Sequence, residues 1–440
     1  MNAKNYAPKT DLKILTAHLS DPELHTLKGY QRHGGYTALR KGLTKMTPDE
    51  IKAEVKAANI RGRGGAGFPA GIKWGFLPKE TDKPIYLVIN ADEGEPGTFK
   101  DRLIMERNPH EFLEGCLLAS YAIQAHTCYI YIRGELVSSI RRMNEAIGEA
   151  RAAGLVGKNI LGSGFDCEVY VHQGAGAYVC GEETALIESL EGKAGQPRNK
   201  PPFPALYGVF GCPTIVNNVE TVAYVPWVVN NGGQAYADLG VERNGGLKLF
   251  GASGHVKNPG VWELPMGTSM RYLFEECAGG MRGNKPLKGI IPGGSSCPPM
   301  LPNELDTPLD FDAMMKAGTM MGTGCIAVFE EGVCTVKLAA RIARFYKHES
   351  CGQCTPCREG TGWLFRQIQR LEAGEHIEGG LDFLDSICDR ILGNTICALG
   401  DAAAMPIQGF IKKFRDEWEA HIGAGHCPVT VGMSGAKAVG

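Results

Sequence analysis

Glu168-Val-Tyr-Val-His172, followed by Gly174-Ala-Gly176-Ala-Tyr-Val-Cys-Gly181 and then by residues 182–191 (Glu-Glu-Thr-Ala-Leu-Ile-Glu-Ser-Leu-Glu), decides the fold class. The first run is β-branched and aromatic and reads as a strand, and the last is a helix. Between them lies a glycine loop, the setting in which a strand-to-helix turn brings backbone close to a ligand. The same alternation extends upstream. Ile85-Tyr-Leu-Val-Ile89 and Tyr129-Ile-Tyr-Ile132 read as strands, and residues 111–125 and 136–153 as helices. Apolar strands alternating with helices predict a Rossmann-like parallel sheet covered on both faces, an α/β domain over residues 61–245.

Further out the texture changes. Residues 1–60 are polar and helical in character, with Thr47-Pro-Asp-Glu50 as a capping box ahead of Ile51, Val55 and Ala58. Residues 195–213 form a proline-rich connection, read as a functional loop rather than a plain linker. Residues 246–330 show short strands (247–250) and Gly/Pro turns (291–294), a small α+β module. Residues 331–440 are helical and end in a glycine-rich tail. Stripes at Leu364/Ile368/Leu371, at Leu381/Leu384/Cys388/Ile391 and at Ile407/Phe410/Ile411/Phe414/Trp418, with a helix over 336–346, predict a four-helix bundle. No internal repeat is present.

Composition narrows the class. Of 440 residues 59 are glycine, about 13 %, roughly twice the usual share of about 7 %. There is no Gly-X-Y period, so collagen and low-complexity disorder are excluded. A net charge of −2 argues against nucleic acid or an anionic membrane as the main partner. No apolar run approaches the roughly 18–20 residues of a membrane span. Met1-Asn-Ala-Lys-Asn-Tyr6 is polar and carries no signal segment, so the expected location is a bacterial cytoplasm with membrane attachment only through partners. The 15 cysteines are expected to be mostly reduced thiols, with Cys116, Cys128, Cys167 and Cys277 read as small core residues.

One cysteine group stands apart. Cys351-Gly-Gln-Cys354-Thr-Pro-Cys357 places three thiols at two-residue intervals, so that one loop wraps one metal centre. Zinc sites usually bring two separated CxxC pairs, whereas CxxCxxC is the iron–sulfur form. A fourth ligand must come from elsewhere. Cys397, in a loop between bundle helices, is the best candidate. Cys388 sits in an apolar stripe, and Cys427 lies in the Gly/Pro tail. A structural zinc and unrelated thiols are the alternatives.

Three further stretches carry candidate chemistry. Gly62-Arg-Gly64-Gly-Ala-Gly67 matches G-x-G-x-x-G, but a helix precedes it, so it is not a standard first Rossmann turn. Arg61, Arg63 and Lys73 bracket its exposed backbone amides, which suits an anionic phosphate. Asn90-Ala-Asp92-Glu93-Gly-Glu95-Pro-Gly97 follows a strand at its carboxyl end, and its acids form either a metal site or a solvated turn. Asn217-Asn218-Val-Glu-Thr221 offers amides able to read a flat heteroaromatic edge. Glu182 and Glu183 either complement a helix dipole or bind ribose hydroxyls.

Taken in order, residues 62–69, 90–98, 174–186, 213–221 and 349–358 closely resemble the NADH-binding flavoprotein subunit of respiratory complex I, from about residue 28 to 422. The resemblance implies FMN and NADH in one cavity of the α/β domain, a β-grasp (ubiquitin-like, SLBB-like) module, and a four-helix bundle carrying a 4Fe–4S cluster. The cluster ligands would be Cys351, Cys354, Cys357 and Cys397. FMN would be held by the loop of Gly62, Arg63, Gly64, Gly65, Ala66 and Gly67, and by Lys73, Asn90, Asp92 and Glu93. Tyr178, Gly181, Glu182, Asn217, Asn218 and Thr221 would complete its site. The dinucleotide would use Phe68, Phe76 and Phe203 near the adenine and Glu183 at the adenosine ribose, with Glu95 facing the nicotinamide–flavin stack. A carboxylate at the ribose repels a 2′-phosphate, so NADH is expected over NADPH. Hydride would pass from NADH to FMN, then electrons singly to the cluster. From there they would go to partners, a thioredoxin-like 2Fe–2S subunit and a large iron–sulfur subunit of a peripheral arm on the cytoplasmic face. Diaphorase subunits of NAD-linked hydrogenases and formate dehydrogenases resemble the same family but often carry extra cysteine-bearing segments. A zinc-bearing, non-redox nucleotide scaffold is the rival from another class.

Overall fold

The computed structural model describes residues 7–429, so the polar start Met1–Tyr6 and the tail glycines from 430 onward lie outside the described residues. The helical N-terminal segment is built from α1 (Leu27–Arg32), α2 (Thr37–Lys45) and α3 (Pro48–Ala57). The expected capping box is present: Glu50 N donates to Thr47 Oγ1 at 3.3 Å and Thr47 N to Glu50 Oε2 at 2.7 Å. After the glycine loop comes the short α4 (Ala70–Trp74).

The α/β domain runs β1 (Tyr86–Ala91), α5 (Asp101–Arg107), α6 (Pro109–Ile123), β2 (Thr127–Ile132), α7 (Val137–Ala152), β3 (Glu168–Gln173), α8 (Glu183–Leu190) and β4 (Thr214–Asn218). All strands are parallel, in the order β3-β2-β1-β4. The alternation read from the sequence is therefore present, with β4 added; its short Thr-Ile-Val-Asn-Asn run does not stand out as a strand in the sequence. Three short helices follow, α9 (Val219–Ala223), α10 (Val225–Asn231) and α11 (Gly233–Ala237). One face of the sheet packs on the nearly all-buried α6, whose Phe112, Leu113, Cys116, Leu117 and Leu118 are fully buried beside Leu87, Ile89 and Ile130.

The next module is a mixed sheet of β5 (Leu247–Gly254), β6 (Gly260–Pro265), β7 (Leu287–Ile291) and β8 (Cys325–Glu330), ordered β6-β5-β8-β7, with α12 (Phe311–Lys316) between β7 and β8. The parallel β5–β8 pair flanked by two antiparallel neighbours is the β-grasp arrangement. Gly251 and Gly254, which read from sequence as turn glycines, lie inside β5. Gly251 packs against Cys325, where a Cβ would sit 2.7 Å from its sulfur. Glu263 ties the N-terminal segment to this sheet by accepting from the backbone amides of Ile14, Leu15 and Thr16.

The C-terminal bundle consists of α13 (Thr335–Glu349), α14 (Thr355–Glu372), α15 (Gly380–Ile391) and α16 (Leu399–Lys413), with α17 (Arg415–Glu419) after a break. The third apolar stripe reads in sequence as one helix. Phe414 instead leaves helical geometry at φ −127° and divides it. Cys388 is fully buried in the bundle, as expected, and Cys116, Cys128 and Cys167 are buried in the α/β core. Cys277 is only partly buried, at the end of a π-helical turn.

Candidate functional site

In the order β3-β2-β1-β4 the chain reverses direction across the sheet between β1 and β4. Open α/β sheets bind ligands at such a switch point, beyond the carboxyl ends of the strands. Asn90, Asp92, Glu93 and Glu95 lie at and beyond the end of β1, and Asn217 and Asn218 close β4 directly opposite. The glycine loop crosses over this end. Arg63 N donates to Thr221 Oγ1 at 2.9 Å, and a Cβ on Gly64 would stand 3.2 Å from that of Asn218. Gly65 (φ +123°) and Gly67 (φ +66°) adopt backbone that favours glycine, and a Cβ on Gly67 would stand 2.5 Å from the Phe311 ring. Gly62, Ala66 and Gly64 thus belong to a backbone cradle rather than to a loose surface loop.

Beneath the cradle lies a buried charge network that no sequence motif announces. Lys100 Nζ contacts Asp101 Oδ1 at 2.7 Å and Glu220 Oε2 at 2.8 Å, and Lys248 Nζ reaches the same Glu220 oxygen at 3.3 Å. Burial pushes Glu220 up, but Lys100, Lys248 and Arg63 outweigh it and hold the carboxyl below the usual range. Burial brings Lys248 down to about 8. Arg63 is itself fully buried; its Nη2 donates to the Gly245 and Leu247 carbonyls at 2.8 Å each. Its Nε and Nη1 have no hydrogen-bond partner among the described residues. Unused cationic donors beside a glycine-rich loop suit an anionic ligand such as a phosphate.

The acid cluster divides by role. Glu93 is buried and accepts from Asp101 N at 2.7 Å and Arg102 Nε at 3.2 Å, so its carboxylate caps α5. Asp92 is pushed up to about 7 by burial, against the opposing pull of Arg133, and its Oδ2 is unpartnered. Asn90 fixes the turn by donating to the Gly181 carbonyl at 2.8 Å and accepting from Asp92 N at 3.1 Å. Glu95 is held from two sides: Tyr178 donates to Oε2 at 2.5 Å, and Ser296 N (2.9 Å) and Ser295 Oγ (3.2 Å) donate to Oε1. Its aliphatic stem packs on Gly294, where any side chain would collide with it. Gly293 and Gly294 read from sequence as turn glycines without chemistry. They carry the segment that orients Glu95, which a loop signal alone does not reveal.

The two adjacent glutamates also part company. Glu182 is the N-cap of α8, accepting from Thr184 N at 2.8 Å and Ala185 N at 3.0 Å. Glu183 turns outward to Lys73 at 2.7 Å and Lys200 at 2.9 Å. Burial pushes its carboxyl up, but the two ammonium groups outweigh that and hold it below the usual range. Lys200, which belongs to none of the sequence motifs, also reaches Glu182 at 2.8 Å. Phe68 and Phe76 stand 5.7 Å apart, 47 % and 53 % exposed, and Phe203 is 55 % exposed on the proline-rich loop. Large aromatics left in solvent beside a cleft are available for stacking. Asn217 accepts from Trp74 Nε1 at 2.8 Å, and Asn218 donates to Asp101 Oδ2 at 2.7 Å.

Tyr178 joins the acid cluster beyond β1 to the start of the cysteine loop. Its ring stacks edge-on with Phe345 (5.1 Å) and Tyr346 (5.9 Å) of α13, and its backbone N–H donates to Glu349 Oε2 at 3.1 Å. Glu349 ends α13, and Ser350-Cys351-Gly-Gln-Cys354-Thr-Pro-Cys357 follows at once. Ser350 Oγ lies 3.2 Å from Cys357 Sγ. Burial pushes Cys397 up to about 12, and the Cys357 and Cys351 thiols act on it in the same direction. Three of these four cysteines are partly exposed, and together they could offer an all-sulfur donor set of the kind that holds iron–sulfur clusters.

Comparison with known proteins agrees with this anatomy. A family model described as the Nuo51 FMN-binding domain matches residues 55–227. One described as the NADH-ubiquinone oxidoreductase-F iron-sulfur binding region matches residues 337–421, and an SLBB domain matches residues 250–299. An F-type subunit of NADH-quinone oxidoreductase in Rhizobium meliloti is 53 % identical over 415 residues, covering 94 % of this chain and 99 % of that protein. The corresponding F-type subunit of Streptomyces coelicolor is 50 % identical over 425 residues, covering 97 % and 94 %. A solved NAD+-reducing NiFe hydrogenase chain in the H2-reduced state superposes with a TM-score of 0.80 at 36 % identity. That match covers 88 % of this chain and 64 % of the hydrogenase chain.

Proposed function

The chain belongs to the family of F-type subunits of NADH-quinone oxidoreductase, and from that premise we propose how its own residues carry out electron input. It is an FMN- and 4Fe–4S-binding NADH dehydrogenase component of a multi-subunit oxidoreductase. When bound, FMN accepts hydride from NADH and yields its electrons singly to the 4Fe–4S cluster.

The protein's task is placement. The cradle of residues 62–67 with Lys73 would hold the flavin phosphate, with the cationic Arg63/Lys100/Lys248 layer beneath favouring negative charge. Asn90, Asn217, Asn218 and Thr221 would set the edge of the cavity. Phe68, Phe76 and Phe203 would clamp the adenine, and Glu183 would accept from ribose hydroxyls. Glu95, fixed by Tyr178, Ser295 and Ser296, would place the nicotinamide and keep a carboxylate charge beside it. Cys351, Cys354, Cys357 and Cys397 would ligate the cluster. The observation that carries the reading is Tyr178, whose hydroxyl holds Glu95 and whose backbone holds the helix end leading into the cysteine loop. One residue thereby touches both the proposed dinucleotide site and the helix end before the proposed cluster loop, which supports the short separation that electron transfer between them needs.

Apolar surface beside the thiols supports partner docking there. Ile396, next to Cys397, and Trp363, on the helix that carries Cys357, are exposed on the bundle. That face would meet the thioredoxin-like 2Fe–2S subunit and the large iron–sulfur subunit. Among the described residues no helix is long and apolar enough to cross a membrane. Membership in this subunit family supports a location in the peripheral arm, on the cytoplasmic face. The F-type relatives match over nearly their whole length, whereas the hydrogenase chain is matched over 64 %, which favours quinone-linked function.

The test is Glu95→Gln, measured by NADH-dependent ferricyanide reduction. A drop of about tenfold or more in kcat/KM with flavin content unchanged is expected. Unchanged kinetics would remove Glu95 from the site.

A further inference from the structure

The N-terminus of α13 presents a second thiol group that electron input leaves unused. Cys334 caps this helix, its sulfur accepting from Lys337 N at 3.4 Å, and His421 Nε2 lies 3.3 Å from the same sulfur. Cys427 joins them, so that one ligand atom from each of the three residues lies within 4.8 Å of the other two. Cys334 and His421 are buried and Cys427 partly so. His421 Nδ1 stands 2.7 Å from the Glu417 carbonyl oxygen. A carbonyl only accepts, so Nδ1 carries the proton and Nε2 turns its lone pair toward the sulfurs, the arrangement of a metal-ligating imidazole.

We propose that Cys334, His421 and Cys427 form a Cys2His site for one zinc-class divalent cation, clamping the C-terminal segment onto the start of α13. The Cys334 sulfur faces both the His421 imidazole and the Cys427 thiol. Three soft ligands converging on one point are the donor set that a zinc-class cation takes. The backbone itself delivers Cys427 to the site. Gly425 N donates to the Gly374 carbonyl at 2.8 Å and Gly423 N to the Glu375 carbonyl at 3.3 Å, so residues 423–427 run along the end of α14. The donor set selects the ion, since thiolate and imidazole suit zinc whereas magnesium and calcium take oxygen ligands. A cavity bordered by Cys334, Lys337, Arg341 and Val429 adjoins the site and leaves room for water as a fourth ligand. Binding replaces the two thiol protons by the cation and changes no oxidation state.

The site is separate from the four cluster thiols. The 15 residues of α13, at about 1.5 Å each, set its two ends roughly 22 Å apart. The clamp holds the base of the helix whose other end carries Glu349 and the cysteine loop.

The test is elemental analysis and zinc X-ray absorption on the purified, flavin- and cluster-loaded full chain, with Cys427→Ser beside it. About one zinc per chain is expected, with sulfur neighbours near 2.3 Å and a nitrogen or oxygen shell near 2.0–2.1 Å. In Cys427→Ser, zinc should fall at least tenfold while flavin and iron stay unchanged, which also shows that the variant folds. Three results would overturn the proposal: zinc well below one per chain in the parent, an all-sulfur shell unaffected by Cys427→Ser, or a Cys334–Cys427 disulfide in peptide mapping.

Discussion

Replacing Glu183 by alanine should convert a dinucleotide site that rejects NADPH into one that accepts it. The Glu183 carboxylate lies 2.7 Å from Lys73 Nζ and 2.9 Å from Lys200 Nζ, and the side chains of Glu183, Lys73 and Lys200 are 22 %, 25 % and 28 % exposed. Two like charges about 4 Å apart interact by roughly 1 kcal/mol in water and about 4 kcal/mol in a partly buried setting. Removing the carboxylate therefore lifts a repulsion of that order toward a 2′-phosphate, frees the Lys73 ammonium and leaves Lys200 with Glu182 alone. At 1.4 kcal/mol per tenfold, kcat/KM for NADPH should rise by about 5- to 700-fold. The same change removes a charged acceptor for ribose hydroxyls, worth about 1.5–3 kcal/mol, so kcat/KM for NADH should fall by about tenfold or more. Ferricyanide reduction at limiting dinucleotide measures both. If the NADPH-to-NADH ratio moved by less than twofold, Glu183 would not face the ribose, and the lysine pair would be only a surface ion cluster.

Other expectations follow from single residues. Cys397→Ser should lose most of its iron, from about four per chain toward zero, while flavin content persists; full retention of iron with an intact cluster spectrum would assign the fourth ligand elsewhere. Asp92 gives a pH dependence. Its folded pKa of about 7 lies above the ordinary carboxyl value of 3.8, so the folded chain binds more protons across that window and loses stability as pH rises from about 4 to 7. Asp92→Asn should therefore stabilise the cofactor-free chain at pH 8, by at most a few kcal/mol in denaturant unfolding, and change little near pH 4. An equal effect at both pH values would contradict the burial argument.

The α/β domain is legible because β1, β2 and β3 are rich in β-branched and aromatic residues at the expected spacing, and the loop of residues 174–181 falls at the end of β3, whereas the loop of residues 62–67 follows a helix. β4 is not, since Thr214-Ile-Val-Asn-Asn218 has only two strongly apolar residues and owes its strand form to pairing with β1. The cysteine loop is legible from spacing alone. Glu182 and Glu183 are not separable by sequence, because two neighbouring acids at a helix start share every local property; Lys200 contacts both, and it is Lys73, 110 residues from Glu183, that tells them apart. The same limit hides Ser295 and Ser296, about 200 residues from the Glu95 they hold, and the Lys100–Glu220–Lys248 network. Buried ion pairs distant in sequence carry no periodic signal.

The most direct test of the central claim, that one cavity receives NADH and feeds the cluster of Cys351, Cys354, Cys357 and Cys397, is anaerobic titration of the loaded chain with NADH. Visible absorption would follow the flavin and electron paramagnetic resonance the iron. The account predicts flavin bleaching together with a reduced 4Fe–4S signal, both absent when NADH is withheld. Flavin that stays oxidised under excess NADH, or bleaches with no cluster signal appearing in a chain shown to contain its iron, would contradict it.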